Sequence, residues 1–217
     1  MKNSLKITSA TCLAITLFAS LSHADITANV ALTSDYTWRG VSQNQEDPAL
    51  QGGFDYSSEA GFYAGVWGSN VNFGGASTEL DLYAGWATEF SNGIGLDFGV
   101  IRYAYVGSDI ASDNDFTEYY AGFSYADFSF TYSLGDEFGD QYEAAYSYGI
   151  GAVEIAAAVG QYDVNDDGNE YTYGSLGVSG SFGGKSDLGW DVTYYDTDQD
   201  NFAAADGRVV FTLSKEF

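Results

Sequence analysis

The chain has 217 residues, of which 31 are acidic and only seven are basic, and its formal net charge is −24 at pH 7. This balance excludes nucleic acid as a natural partner, because phosphate binding needs clustered Lys and Arg. It does not indicate disorder, since disordered acidic chains have few aromatic residues and this one has 15 Phe, 18 Tyr and four Trp. The length fits one folded domain.

The N-terminal segment has the pattern of a secretory signal. Lys2 and Lys6 precede an apolar stretch over residues 10–21, and small residues follow up to Ala24. The stretch is too short to span a bilayer as a helix. We therefore predict a cleaved signal peptide over residues 1–24 and a mature domain over 25–217. The single cysteine, Cys12, and the single histidine, His23, both fall in the predicted signal.

The remainder of the chain alternates apolar and polar residues with the period of a β-strand. The clearest run places Leu80 and Leu82 on one face and Glu79 and Asp81 on the other. No segment after residue 24 has the roughly 18 apolar residues of a membrane helix. Strands are predicted at 26–39, 49–57, 62–71, 78–90, 94–105, 116–125, 128–135, 141–149, 153–162, 170–181, 187–195 and 207–217. These segments predict an all-β fold, a transmembrane antiparallel up-and-down β-barrel of about 12 strands.

The connections between these strands alternate in length along the chain. Long ones at 41–48, 72–77, 106–115, 136–140, 163–169 and 196–206 are separated by short ones. Outer-membrane barrels have long outer loops and tight periplasmic turns, so we expect the bacterial outer membrane, with both termini periplasmic. The last strand ends on Phe217, as in such barrels. A soluble β-sandwich is the alternative, but it does not require alternating loop lengths.

The first predicted strand carries a basic residue, Arg39, which the alternation places on the inward face near the outer mouth. Tyr36 and Trp38 lie on its apolar face and are expected in the outer aromatic belt at the membrane interface. Asp35 and Arg39 share the inward face. We expect Arg39 to form a salt bridge with a carboxylate, Asp35 being the local candidate, or to contact solute at a constriction.

The inward face of the predicted barrel is acidic. Rings of Asp and Glu favour cations in a pore. This predicts a porin-like channel for passive diffusion of small solutes, favouring cationic or neutral ones, in contact with outer-membrane lipid and lipopolysaccharide and inserted by the barrel assembly machinery. The predicted pore-lining residues are Arg39, Asp55, Glu79, Asp81, Glu89, Glu118, Glu143, Glu154 and Asp191, together with Asp97.

Several segments carry a resemblance to a known family. They are Thr33 to Gln43, Pro48 to Gly53, Gly61 to Trp67, Glu79 to Gly85 and the closing Leu213 to Phe217. In these segments the chain resembles the TorF-type putative porins, also known as the Gcw_chp family. The resemblance implies an outer-membrane pore and supplies no substrate.

Two other function classes remain open from the sequence. An outer-membrane enzyme would normally need a histidine base, and the mature chain has none, so no catalytic residue is predicted; a mechanism built on carboxylates alone stays possible. A filled barrel, structural or adhesive, is the stronger alternative. Inward tyrosines could fill the lumen or form a track for solutes, and inward glycines at 53, 65, 85, 99 and 122 fit both. No cofactor or metal is predicted, and the oligomeric state is left open.

Overall fold

The computed structural model describes residues 24–136, 138–164, 169–184, 188–200 and 202–217. The predicted signal peptide lies outside this part except for Ala24, and it stays a prediction. The strands are β1 (Asp25–Thr33), β2 (Thr37–Trp38), β3 (Val41–Ser42), β4 (Ala49–Ser57), β5 (Phe62–Phe73), β6 (Ala76–Glu89), β7 (Ile94–Gly107), β8 (Phe116–Tyr125), β9 (Phe128–Gly135), β10 (Asp140–Ile150), β11 (Val153–Val164), β12 (Asn169–Ser181), β13 (Leu188–Thr197) and β14 (Arg208–Glu216). In the described ranges no helix is long and apolar enough to cross a membrane.

Twelve of these strands form one closed antiparallel barrel. Each is paired with its neighbours in the chain, and β1 closes the ring by pairing with both β4 and β14. The closing register places Asn29 opposite Glu216 and Thr33 opposite Thr212. The amide of Phe217 extends it by donating to the carbonyl of Ala28 at 2.9 Å. The predicted 12-strand barrel is confirmed.

The alternation read from the sequence separates the two faces of the wall. In β6, Leu80 and Leu82 are exposed on the outside, while Glu79 and Asp81 are buried inside. Strand β7 alternates regularly through its pairing with β8, so Tyr103 faces the lumen. Burial on the inside of a barrel requires other lumenal groups to cover these side chains.

The two ends of the barrel differ in their connections. One end, here called the loop end, carries residues 34–48, 108–115 and 198–207; the other, the turn end, carries tight connections such as 126–127 and 151–152. The predicted long connection at 72–77 is wrong. Strands β5 and β6 extend further than expected, leaving only Gly74 and Gly75, whose φ angles of 53° and 80° suit a two-residue hairpin.

The largest correction concerns the first predicted strand, 26–39, because β1 ends at Thr33. Residues 34–48, here called the inner loop, leave the wall and fold into the barrel. Its centre is a small hairpin in which β2 pairs with β3, turning at Arg39 and Gly40 with φ angles of 48° and 81°. Paired positive φ angles at a two-residue turn are typical of a type I′ hairpin. A turn, rather than a continuing strand, therefore follows Trp38.

Candidate functional site in the barrel lumen

Polar contacts hold the start of the inner loop against the wall. Asp35 is 4% exposed and accepts hydrogen bonds from the Ser42 hydroxyl at 2.7 Å and from Arg208 Nη1 at 3.1 Å. Burial raises the pKa of Asp35 above its ordinary value, while the bonds from Ser42 and Arg208 oppose that rise. Further in, the Tyr36 hydroxyl donates to Glu79 Oε1 at 3.0 Å. The loop is thus tied to β14 on one side and to β6 on the other.

Trp38, at the tip of the inner loop, lies between two sides of the barrel. Its ring packs edge-to-face on Tyr103 of β7 and Phe116 of β8, with ring centroids 6.1 Å and 6.0 Å apart. On its other side the centroid of Tyr162, on β11, is 5.4 Å away. The prediction that Trp38 and Tyr36 belong to a lipid-facing aromatic belt is wrong, because the hairpin carries both rings into the lumen.

Arg39 forms the strongest polar contact of the inner loop. Its Nη2 atom lies 2.7 Å from Glu118 Oε1 and 2.8 Å from Oε2, and the guanidinium carbon is 4.1 Å from the Trp38 ring centroid and 4.5 Å from that of Tyr162. Burial alone would lower the pKa of Arg39, but the Glu118 carboxylate outweighs it and the pKa is raised, so the guanidinium stays charged. The expected salt bridge exists, but its partner is Glu118 and not Asp35.

Tyrosines of neighbouring strands lie over inward-facing glycines. Within β5 and β6, Tyr63 is opposite Gly85 and Tyr83 is opposite Gly65, and a Cβ on either glycine would overlap the facing ring. The same arrangement pairs Tyr120 with Gly99 and Tyr173 with Gly160. The glycines at these positions therefore make room for aromatic rings that lie along the wall.

These tyrosine hydroxyls are bound to lumenal carboxylates. Tyr63 donates to Asp97 Oδ1 at 2.6 Å and also contacts the Tyr120 hydroxyl, while Tyr83 donates to Asp55. Across the barrel, Tyr173 donates to Glu143 Oε2 at 3.0 Å. Carboxylates and phenols thus form a connected polar lining on the wall from β4 to β8.

The structure places the predicted pore-lining carboxylates on the inside of the wall, at different depths. Glu79, Asp81, Asp97, Glu118 and Asp191 are buried, and Asp55, Glu143 and Glu154 are half-buried. Glu89 is exposed at the turn end of β6. The inner loop brings Arg39 to Glu118 and Tyr36 to Glu79. The inward position of Tyr36, Trp38 and Arg208 was not predicted from the sequence. The turn-forming glycine of the Arg39–Gly40 pair is the sequence feature that could have indicated the inward hairpin of Tyr36 and Trp38.

The opposite wall, from β9 to β12, carries the buried Tyr162, Tyr171 and Tyr173 toward the loop end and mostly small side chains elsewhere on its inner face. These include Ser129, Thr131, Ser133, Ala145, Ser147, Ala156, Ala158, Ser175 and Ser179. The wall from β4 to β8 is therefore aromatic and rich in carboxylates, whereas the wall from β9 to β12 has smaller and hydroxyl side chains toward the turn end, with Glu154 among them. Among the described residues, no group of three or more His, Cys, Asp and Glu side chains is arranged to hold a metal ion.

Comparisons with known proteins agree with this architecture. A family model described as "Bacterial protein of unknown function (Gcw_chp)" matches residues 19–217, so the chain belongs to the Gcw_chp family. No curated protein matches the chain. Among solved structures, a KdgM porin superposes with a TM-score of 0.62 at 9% identity, covering 88% of this chain and 98% of that one. A KdgM porin in complex with disordered oligogalacturonate gives 0.60 at 9% identity, covering 89% and 98%. The chain shares the porin fold with them.

Proposed function

We propose that the protein is an outer-membrane, porin-like channel for passive diffusion of small solutes, of the type that the TorF name denotes. The observation that carries the proposal is the closed barrel with an apolar outer surface and a polar, carboxylate-lined interior. A closed barrel satisfies every backbone group within a bilayer, and a polar interior allows water and solutes to enter. The inner loop forms the constriction of this channel.

The charge of the lumen supports a preference for cationic or neutral solutes. Eight of the predicted carboxylates lie inside the wall, and one of them, Glu118, is paired with Arg39. An excess of Asp and Glu over Lys and Arg side chains in a pore attracts cations and repels anions. Oligogalacturonate, the ligand of the KdgM complex, is a polyanion, so its passage through this lumen is not part of the proposal. Solutes would pass along the small side chains of β9 to β12, which leave more room than the tyrosine rings of β5 to β8.

The barrel would have lipid, lipopolysaccharide and the assembly machinery as its partners. The exposed apolar side chains of the outer surface would contact outer-membrane lipid, and the loop end would contact lipopolysaccharide. Insertion would require the barrel assembly machinery, and both termini would lie at the periplasmic turn end. The channel would have no enzymatic activity.

Single-channel recording tests the proposal. The purified mature protein is inserted in a planar bilayer between unequal potassium chloride solutions, and the reversal potential is measured. We expect stepwise currents with a cation-selective reversal potential. Glu143→Gln combined with Glu154→Gln should move this potential toward zero, whereas Asp127→Asn, in an exposed turn, should leave it unchanged. Anion selectivity of the unmodified protein would contradict the charge preference.

One observation favours a second candidate, a filled barrel with a structural or adhesive role. Trp38 contacts both β7–β8 and β11, so aromatic packing crosses the lumen at that level. A correctly folded protein that inserts in the bilayer without passing any current, including after removal of the Trp38 ring, would favour this candidate over the channel.

A further inference from the structure

Two carboxylates of β6 are enclosed beneath the inner loop. Glu79 and Asp81 stand two residues apart on the inward face, and their exposed fractions are only 1% and 2%. One oxygen of Glu79 accepts the hydrogen bond from Tyr36 of the inner loop. The pair therefore lies at the contact between the loop and the wall, away from the open part of the lumen.

Each of these carboxylates has an oxygen without a hydrogen-bond partner in the described part of the protein. The atoms are Glu79 Oε2 and Asp81 Oδ1, both inaccessible to solvent. No described basic side chain forms an ion pair with either residue, because Arg39 pairs with Glu118 and Arg208 pairs with Asp35. Buried, unpaired carboxylates are energetically costly, so they are neutralised either by a cation or by a proton.

The polar side chains next to the pair are mainly tyrosines. Tyr36 donates to Glu79, and in the register of β6 and β7 Tyr105 lies opposite Glu79 and Tyr103 lies opposite Asp81. The Tyr103 hydroxyl also contacts Glu118, whose carboxylate is already paired with Arg39. Carboxylate and neutral oxygens are the ligands of hard cations, above all of Ca²⁺, whose coordination geometry is flexible.

We propose that Glu79 and Asp81 bind a divalent cation of the calcium class, which holds the inner loop to the wall through Tyr36. The two carboxylates balance its charge, and the unpartnered oxygens are its first ligands. A site with only two carboxylates is expected to be weak, with a dissociation constant of about 10⁻⁴ to 10⁻³ M, as in extracellular calcium modules. The proposal does not depend on whether the barrel conducts.

Terbium luminescence tests this site directly, because Tb³⁺ replaces Ca²⁺ and emits when a nearby aromatic residue is excited. Trp67 is well placed for this, since its ring centroid is 5.4 Å from that of Tyr36. The folded protein in detergent micelles, freed of divalent cations by a chelator, is titrated with Tb³⁺ alone and then with Ca²⁺. We expect sensitised emission that Ca²⁺ displaces, and a higher unfolding temperature in millimolar Ca²⁺.

A matched pair of double variants separates this site from the other lumenal carboxylates. Glu79→Gln combined with Asp81→Asn should reduce the sensitised emission at least tenfold and abolish the calcium effect on unfolding. Glu143→Gln combined with Asp191→Asn makes the same two changes elsewhere in the lumen and should retain both. If the first double variant does not fold, Glu79→Gln alone should weaken Tb³⁺ binding.

Two results would overturn the proposal. One is equal Tb³⁺ emission from the unmodified protein and from the folded Glu79/Asp81 variant. The other is an unfolding temperature that rises on acidification but is insensitive to Ca²⁺, which would mean that a shared proton, and not a cation, neutralises the pair. Neither result bears on the bilayer currents that test the channel.

Discussion

Arg39 and Glu118 are 79 residues apart in the chain, and their side chains meet inside the barrel at 2.7 Å. Arg39 comes from the inner loop between β1 and β4, and Glu118 from β8. Both are almost fully buried, and the contact involves both oxygens of the carboxylate. Removing one partner of a buried pair typically costs about 3–5 kcal/mol, because the remaining charge is left uncompensated. The pair is therefore the main polar restraint on the tip of the inner loop.

Removal of the Arg39 side chain should loosen this restraint. In Arg39→Ala, Glu118 loses its cation and the hairpin tip loses its stacking on Tyr162, so we expect a several-fold higher single-channel conductance and stronger cation selectivity. Arg102→Ala is the matched control. Arg102 lies outside the lumen, with its side chain 45% exposed, and pairs with Asp115 at 3.3 Å. Exposed ion pairs of this kind contribute little to stability.

Single-channel conductances of the two arginine variants, compared in planar bilayers, test whether the inner loop is a constriction. A conductance of Arg39→Ala equal to that of Arg102→Ala would contradict a constriction at the inner loop. Loss of current in Arg39→Ala alone, with the barrel still folded, would do the same, since it would show that the ordered loop is needed to keep a path open.

The ring of Trp38 should restrict the lumen independently of charge. Trp38→Ala removes the contact between the β7–β8 side and Tyr162 of β11. Trp38 is half-buried, so its removal should cost less than the roughly 3–5 kcal/mol of a fully buried Trp→Ala change. The hairpin tip should still become mobile, and larger neutral solutes should pass. Liposome swelling with sugars of increasing size measures this. Trp86→Ala is the control, because Trp86 lies on the outside, where it bonds only to the Ala60 carbonyl; a similar gain in both variants would count against the prediction.

The wall of the barrel could be predicted from the sequence, because its signal is local and repeated. In β6, apolar and acidic residues alternate over many positions, and only a strand places them on opposite faces. Eleven of the 12 predicted strands lie within a few residues of their observed bounds for this reason. The number of strands followed from the same alternation.

The inner loop could not be predicted in the same way, because the alternation continues past the end of β1. Tyr36 and Trp38 keep the spacing of a strand but lie in a hairpin that turns at Arg39 and Gly40. Their packing depends on rings supplied by distant strands: Tyr36 packs on Trp67, and Trp38 packs on Phe116 and Tyr162. The local spacing of residues does not predict such contacts. The pairing of Arg39 with Glu118 and of Asp35 with Arg208 was missed for the same reason.

The second ion pair should couple the root of the inner loop to β14. Arg208→Ala leaves the buried carboxylate of Asp35 with only the Ser42 hydroxyl, and Asp35→Asn leaves Arg208 with Glu46, 3.8 Å away and exposed. Both single variants should lower the free energy of unfolding, and the double variant should lose less than the sum, with a coupling of about 0.5–3 kcal/mol. Urea unfolding of the refolded protein in detergent gives these values. Strict additivity would show that the pair contributes no coupling.

Glycines in the wall should be needed to make room for the tyrosine rings that lie over them. A Cβ at Gly65 would overlap the ring of Tyr83, so Gly65→Ala should displace that ring, weaken its bond to Asp55 and cost about 1–3 kcal/mol by overpacking. Gly149→Ala is the control, because Gly149 also faces inward but no atom lies within 4 Å of the added Cβ. In the double variant Gly65→Ala with Tyr83→Ala, the added methyl should cost little beyond the loss of the ring. Urea unfolding measures all four proteins; an equal loss in Gly65→Ala and Gly149→Ala would mean that the glycines serve the backbone of the strands and not the placement of the tyrosines.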